Sequence, residues 1–553
     1  MLTLRPRGVR ATILPGLGRD DPATAGRRRG GRLARPPAAV WVPAAVVVAV
    51  LALPLAYVLL RTAGAGEAAW RAVLRPRTAV TLAHTALLAA AVGAGSTLLA
   101  VPLAWLTTRT DLPGRRAWAT LAALPLVIPS YVGALTVVAA LGPRGLLQQA
   151  LAGPFGVERL PPIYGFWGAW LTLTLFTYPY VFLNVRAALR GMDPALEEAA
   201  RCLSHGPWRT FVGCTLPQLR PAVAAGALLA ALYTVSDFGV VALLRYDALT
   251  WAIYRQYRSV FDRSAAAALA LLLVGFAALL LLAEARVRGR AAYHRLGAGA
   301  ARPARPVPLG GWRWPAVAFC AATVALALGL PLGVLGYWLA RGIAGEVAVA
   351  DLARAAAGSA TAGAATATLA TVAALPVAVL AVRYPGWAGA LAERLCYLGY
   401  ALPGIVVALA FVFFGVRTPF YQTLPLLIVA CTVRFLPQAI GAARLSLLQV
   451  SPRLEEAARG LGRSPAEAVA RVTVPLARPG ILAGAAIVFL TVVKELPITL
   501  LLRPTGFSTL ATEIWTAAGS GDLGAAAAPA LTLILLSAVP TLLLASRDRA
   551  TKD

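Results

Sequence analysis

Apolar residues in this chain come in long, almost unbroken runs, separated by shorter polar stretches rich in arginine. A helix needs about 20 apolar residues to cross the roughly 30 Å hydrocarbon core of a bilayer. The runs predict twelve spans, of which the first six cover 40–60, 82–106, 118–141, 165–189, 220–244 and 264–284. The second six are expected at 314–340, 356–382, 395–414, 424–446, 480–502 and 524–545. Two six-span units result, 40–284 and 314–545, joined by a basic, Pro/Gly-rich stretch at 285–313 that reads as a cytoplasmic linker. Residues 1–39 carry nine arginines without apolar periodicity, the composition of a disordered basic cytoplasmic tail. A second short tail is expected at 546–553. The first apolar run starts too late and runs too long for a cleaved signal peptide.

Composition agrees with this class. The chain is 59% hydrophobic and 13% charged with a mean hydropathy of +0.72, against about 25% charged residues in soluble domains. The fold class is therefore an all-α polytopic membrane protein. Net charge is +28, and lysine occurs only at Lys494 and Lys552. In a soluble protein such a balance points to nucleic acid; in a membrane protein the excess of positive charge on the cytoplasmic side explains it. With the N-terminus inside, the cytoplasmic segments hold 32 Lys and Arg and the external ones 14. The external loop 61–81, with Arg61, Arg71, Arg75 and Arg77, runs against the bias without reversing it. This orientation places both termini in the cytoplasm. Five scattered cysteines and three histidines show no disulfide or metal spacing. No set of residues has the pattern of an enzyme active site.

A charged segment interrupts the apolar pattern twice, 258 residues apart. Pro194-Ala195-Leu196-Glu197-Glu198-Ala199-Ala200-Arg201 returns as Pro452-Arg453-Leu454-Glu455-Glu456-Ala457-Ala458-Arg459. Aligned without a gap, 194–226 and 452–484 are identical at 15 of 33 positions. The repeat extends to Pro179/Pro437, Arg186/Arg444 and Asp237/Glu495, and at an offset of 274 to Pro102/Pro376, Arg109/Arg383 and Pro129/Pro403. Two like-oriented six-span repeats place a two-fold axis along the membrane normal, with a pathway between the halves. Both charged segments fall on the cytoplasmic face. Each is expected to form two short helices joined by a turn, capped by Asp193 and Ser451 and followed by proline. Glu197, Glu198, Glu455 and Glu456 sit where the helix dipole favours acids, and the paired alanines leave a low face for another surface to approach. Gly462 suits a sharp turn, and Ser464-Pro465-Ala466-Glu467 reads as a capping box. Pro217 and Pro475 are expected to end the helical path before the next span.

These loops resemble the EAA motif of binding-protein-dependent ABC importer permeases: Glu-Ala-Ala, three residues, glycine, nine residues, then Ile-x-Leu-Pro. The second copy, with Glu456, Ala457, Ala458, Gly462 and Val472-Thr473-Val474-Pro475, keeps every spacing; the first, with Glu198, Ala199 and Ala200, has Ser204 in place of the glycine. The resemblance covers about 80–545 and implies the type I importer permease fold. It also implies that Glu197, Glu198, Ala199, Ala200, Ser204, Glu455, Glu456, Ala457, Ala458 and Gly462 belong to coupling helices. The implied partners are two ATPase subunits and an extracytoplasmic substrate-binding protein, in a bacterial inner membrane. This chain is expected to bind no cofactor. ATP is used by the partner, because a Walker A loop needs Gly-Lys followed by Ser or Thr and neither lysine here stands in that setting.

Four ionisable residues are expected at membrane depth: Asp237, Arg434, Lys494 and Glu495. Such groups cost several kcal/mol unless they face a cavity or a partner, so they either line the pathway or form structural ion pairs. Read as helix neighbours, Lys494 and Glu495 point about 100° apart. Ser236-Asp237-Phe238-Gly239 and Lys494-Glu495-Leu496-Pro497 resemble the fused permeases of ferric-iron importers, in which a binding protein delivers Fe³⁺. Permeases for thiamine, phosphonate, sulfate and polyamines remain alternatives within that resemblance. An ion-coupled secondary transporter, using the intramembrane charges itself, is the competing class.

Overall fold

A computed structural model describes residues 36–64, 66–193, 195–203, 206–258, 263–289, 306–342, 349–384, 386–399 and 402–550. The expected disordered tail therefore lies outside the described residues up to 35, as do 290–305 of the linker, Ser204 in the first loop and 551–553. Among the described residues the regular structure is helical, because within a bilayer a helix satisfies its own backbone.

The first half contains α1 (Ala38–Gly64), α2 (Pro76–Arg109), α3 (Ser130–Leu141), α4 (Phe166–Gly191), α5 (Ala195–Cys202), α6 (Leu216–Ser236), α7 (Gly239–Leu243) and α8 (Arg263–Gly289). The second contains α9 (Leu330–Gly342), α10 (Val349–Arg383), α11 (Gly404–Gly415), α12 (Leu424–Gln449), α13 (Pro452–Gly460), α14 (Val474–Val493), α15 (Pro497–Leu502) and α16 (Leu523–Ala550). Nine helices among the described residues are long and apolar enough to cross a membrane. The other three expected spans fall on the more polar α4 and on the shorter apolar segments Gly404–Gly415 and Leu523–Ala538.

Four expected spans are not continuous. Residues 118–141 break into Arg115–Leu121, a 3₁₀ turn Leu124–Val127, and α3, with Pro125 and Pro129 at the breaks. The span at 395–414 breaks likewise, between Trp387–Leu398 and α11, ahead of which stands Pro403. Proline lacks the N–H that a continuous helix needs and pushes its predecessor out of the α region. The spans at 220–244 and 480–502 break at Asp237 and at Lys494–Leu496. The linker is shorter than expected, since α8 runs to Gly289 and helix resumes by Gly310. Its end is stitched to the loop after α2. Val307 N–H donates to Arg109 O at 2.8 Å, and Leu309 N–H to Asp111 Oδ1 at 2.9 Å.

Each half is built on three mutually packed helices, α2, α4 and α6 in the first and α10, α12 and α14 in the second. Small residues set the approach, as is general in membranes. A Cβ on Gly226 of α6 would meet Val181 Cα at 2.7 Å, and one on Gly484 of α14 would meet Ala442 Cβ at 2.6 Å. These glycines are equivalent in the repeat, so the tight crossing is duplicated. The first span of each half then crosses over. Helix α1 packs on α10 and α11 of the second half as well as on α8, and Val40, Leu51 and Tyr57 join the second half's core. The segment Gly310–Arg341 packs reciprocally on α3, with Cys320 and Leu335 in the first half's core.

Candidate coupling loops and midplane charge cluster

Both charged segments form the two-helix units expected of them. In the first, Asp193 Oδ1 accepts from Ala195 N–H at 3.0 Å and starts α5. In the second, Ser451 uses its backbone carbonyl, which accepts from Leu454 N–H at 3.2 Å, and its side chain makes no cap. Gly462 takes φ +84°, a conformation that favours glycine, and turns the chain. The Ser464 capping box is complete: Ser464 N–H donates to Glu467 Oε2 at 3.1 Å and Glu467 N–H to Ser464 Oγ at 3.3 Å. The Ser464 backbone N–H holds the Glu467 carboxyl below its ordinary range.

The prolines do not end the helical path. Helix runs from Trp208 to Ser236 and from Pro465 to Val493, through π turns at Phe211–Thr215 and Val469–Thr473. A π turn bonds to the fifth residue back, and its wider turn carries the backbone past the bond that Pro217 or Pro475 cannot make.

The adjacent glutamates in each loop separate. Glu198 and Glu456 are exposed, as is Ala457, while Ala200 and Ala458 are buried on the inner side. Ala199 lies within α5. Glu197 and Glu455 point inward. Glu197 Oε1 accepts from Thr215 Oγ1 at 3.0 Å and lies 3.7 Å from Arg109 Nη2. Glu455 Oε1 accepts from Thr473 Oγ1 and from Arg383 Nε, each at 2.6 Å. Sequence reasoning aligned Arg109 with Arg383 and assigned them no role. It also passed over Leu203 and Leu461, identical in the repeat, which stand 73% and 85% exposed beside the loop helices. They expose large apolar side chains at equivalent positions of the two loops.

The second constellation lies where α6 and α14 break. At each break a carboxylate caps the helix that follows: Asp237 Oδ1 accepts from Val240 N–H at 2.8 Å, and Glu495 Oε1 from Ile498 N–H at 3.3 Å. Thr250 and Thr499 donate to the carbonyls of the same two residues at 2.7 and 2.9 Å. The remaining carboxylate oxygens are treated differently. Asp237 Oδ2 accepts from Ser130 Oγ, which in turn accepts from Tyr233 Oη at 3.1 Å. Glu495 Oε2 pairs with Arg434 Nε at 3.6 Å. Lys494, expected on a helix, instead caps the end of α14, and its Nζ donates to Leu126 O of the first half at 3.0 Å. Tyr131, Tyr233 and Asp237 of the first half lie within electrostatic reach of Arg434 or Glu495 of the second. The four intramembrane charges are thus brought to one region between the halves. A small cavity lined by Ser359, Cys431, Thr499 and Thr509 reaches Glu495. Tyr131 Oη and Arg434 Nη1 are buried there without a hydrogen bond among the described residues. Among the described residues no three His, Cys, Asp or Glu side chains gather as a metal site.

The chain matches the family model "Binding-protein-dependent transport system inner membrane component" twice, over 100–290 and 366–553. It is 33% identical over 500 residues to the Fe(3+)-transport system permease protein FbpB 2 of Haemophilus influenzae, covering 89% of this chain and 95% of that protein. A ferric transport system permease protein of Actinobacillus pleuropneumoniae is 24% identical over 383 residues, 65% of this chain and 55% of that protein. The molybdenum transport system permease protein ModB of Escherichia coli is 34% identical over 116 residues, 21% of this chain and 49% of that protein.

Proposed function

We propose a function from the premise that the chain belongs to the binding-protein-dependent transport system inner membrane components. It is a multi-pass inner membrane protein and the permease of an ABC importer. Our reading is that two separate ATPase subunits dock on its two loops, that both termini face the cytoplasm, and that an external binding protein delivers ferric iron. The observation that carries the reading is the duplicated loop, with an exposed glutamate and an exposed leucine at the same place in each copy: Glu198 with Leu203, and Glu456 with Leu461. The positive-inside count supports the orientation. The absence of a Gly-Lys-Ser/Thr loop from the sequence supports ATP hydrolysis on another chain. Two relatives named for ferric transport support the cargo. So does a midplane offering carboxylate, phenol and hydroxyl oxygens from Asp237, Glu495, Tyr131, Tyr233 and Ser130, the donor type that hard cations take.

The mechanism proposed is alternating access. Closure of the ATPase dimer draws the two loops together, and the three-helix cores of the halves rock about the midplane. The Lys494–Leu126 hydrogen bond, which ties one half to the other, has to break for a pathway to open there. Asp237, Arg434 and Glu495 are then the first charges that cargo meets. The test is uptake into proteoliposomes holding the chain, the ATPase and the binding protein, with iron compared against thiamine, phosphonate, sulfate and polyamine. The expected result is iron uptake that requires ATP. Uptake by the chain alone, driven by a proton or sodium gradient, contradicts the reading.

A further inference from the structure

The inward glutamates of the two loops build the same node twice. On each, a carboxylate gathers an arginine that ends a long helix of the same half and the last threonine of the π turn. The residues are Arg109–Glu197–Thr215 in the first half and Arg383–Glu455–Thr473 in the second. Each arginine also donates through Nη2 to a carbonyl ahead of the loop, Arg109 to Leu189 O at 2.9 Å and Arg383 to Val450 O at 3.0 Å. One side chain therefore ties the loop helix to the end of α2, the end of α4 and the start of α6, and its counterpart ties α13 to α10, the end of α12 and the start of α14. These are the three mutually packed helices of each core.

A glutamate whose task is to meet a partner has no need of such a setting. Glu198 and Glu456, one residue along, point outward. Charge-assisted hydrogen bonds are short and directional, and they hold the groups they join in one geometry. Packed elements joined in that way move as a body and do not bend locally. We infer that Glu197 and Glu455 are positioning residues, which carry the movement of each loop into the three helices of its half and make no contact with the ATPase. The nodes are unequal. The side chains of Arg109 and Glu197 are 5% and 6% exposed, those of Arg383 and Glu455 9% and 14%. The first node also receives the linker, since Arg109 O accepts from Val307 N–H. The second is therefore the one to perturb without loss of fold.

This inference rests on the permease reading, and its test separates the two. The complete chain is assembled with ATPase subunits and binding protein in proteoliposomes, and three quantities are read: ATPase subunits retained, cargo imported and ATP hydrolysed. Glu455→Gln is expected to retain the ATPase while the ATP hydrolysed per cargo imported rises about tenfold, the factor that corresponds to 1.4 kcal/mol, near the contribution of a hydrogen bond to a charged group. Thr473→Val, which keeps the side-chain shape and the ion pair, is expected to shift the same ratio in the same direction by less. Release of the ATPase by Glu455→Gln overturns the inference, because it makes Glu455 a docking residue. An unchanged ratio in Thr473→Val overturns it as well, including where Glu455→Gln does not accumulate. If the unaltered chain retains no ATPase or imports without ATP, the permease reading fails instead.

Discussion

Ser130 and Gly404 hold the same place in the two repeats, one residue after Pro129 and Pro403, and they decide how each half treats its buried carboxylate. Ser130 gives Asp237 a hydroxyl. Gly404 gives Glu495 a guanidinium, because its missing side chain is where Arg434 lies: a Cβ there would stand 1.7 Å from Arg434 Nη1. Gly404→Ala is therefore expected to displace the arginine and to cost about 1–3 kcal/mol, as overpacking does, which thermal unfolding of the purified protein would register. The carboxylates should also respond differently to neutralisation. Glu495→Gln leaves the Arg434 charge without its partner and is expected to lower stability by about 3 kcal/mol. Asp237 has no ion pair among the described residues. Asp237→Asn should leave stability nearly unchanged and reduce cargo uptake at least tenfold, a factor of about 1.4 kcal/mol. Full uptake by that variant would remove Asp237 from the pathway. The buried charges were legible in the sequence because ionisable residues stand out in apolar runs. The part played by Gly404 was not, since an absent side chain carries no signal of what fills its place.

Prolines stand both at helix breaks and within continuous helix here. Pro129 and Pro403 stand at breaks, with extended backbone leading into α3 and α11. Pro217 and Pro475 sit in unbroken helix, because a π turn precedes each. The sequence reading stops the helix at Pro217 and Pro475, where it widens and continues, and carries spans straight through Pro129 and Pro403, where it breaks. The capping box at Ser464 was legible for the opposite reason: its residues interact within one turn, so spacing alone specifies it. Ser464→Ala is expected to cost that turn about 1 kcal/mol. Hydrogen exchange should quicken at 464–468 while the core of α14 keeps its protection. The exposed leucines beside the loops belong to this scale as well. Leu461→Asp should weaken ATPase association without altering thermal stability, since Leu461 is 85% exposed and supports no core.

At the scale of the molecule, the duplicated sequence became two cores that exchange their first spans. The repeats at offsets of 258 and 274 residues made two like-oriented halves legible. The exchange was not legible. Apolar periodicity reports that α1 has faces to bury, and it does not report that α10 and α11 are what cover them. The crossover binds the halves at their edges, while the Lys494–Leu126 hydrogen bond joins them at membrane depth. A rocking motion therefore has two fixed arms and a breakable link at its centre. Whether both loops carry an ATPase is measured directly by native mass spectrometry of the complex. Two ATPase subunits per chain are expected. Glu456→Arg should reduce the number bound, and Glu198→Arg with Glu456→Arg should abolish binding while the chain remains folded. Two subunits still bound to the double variant, or only one on the unaltered chain, would contradict the account.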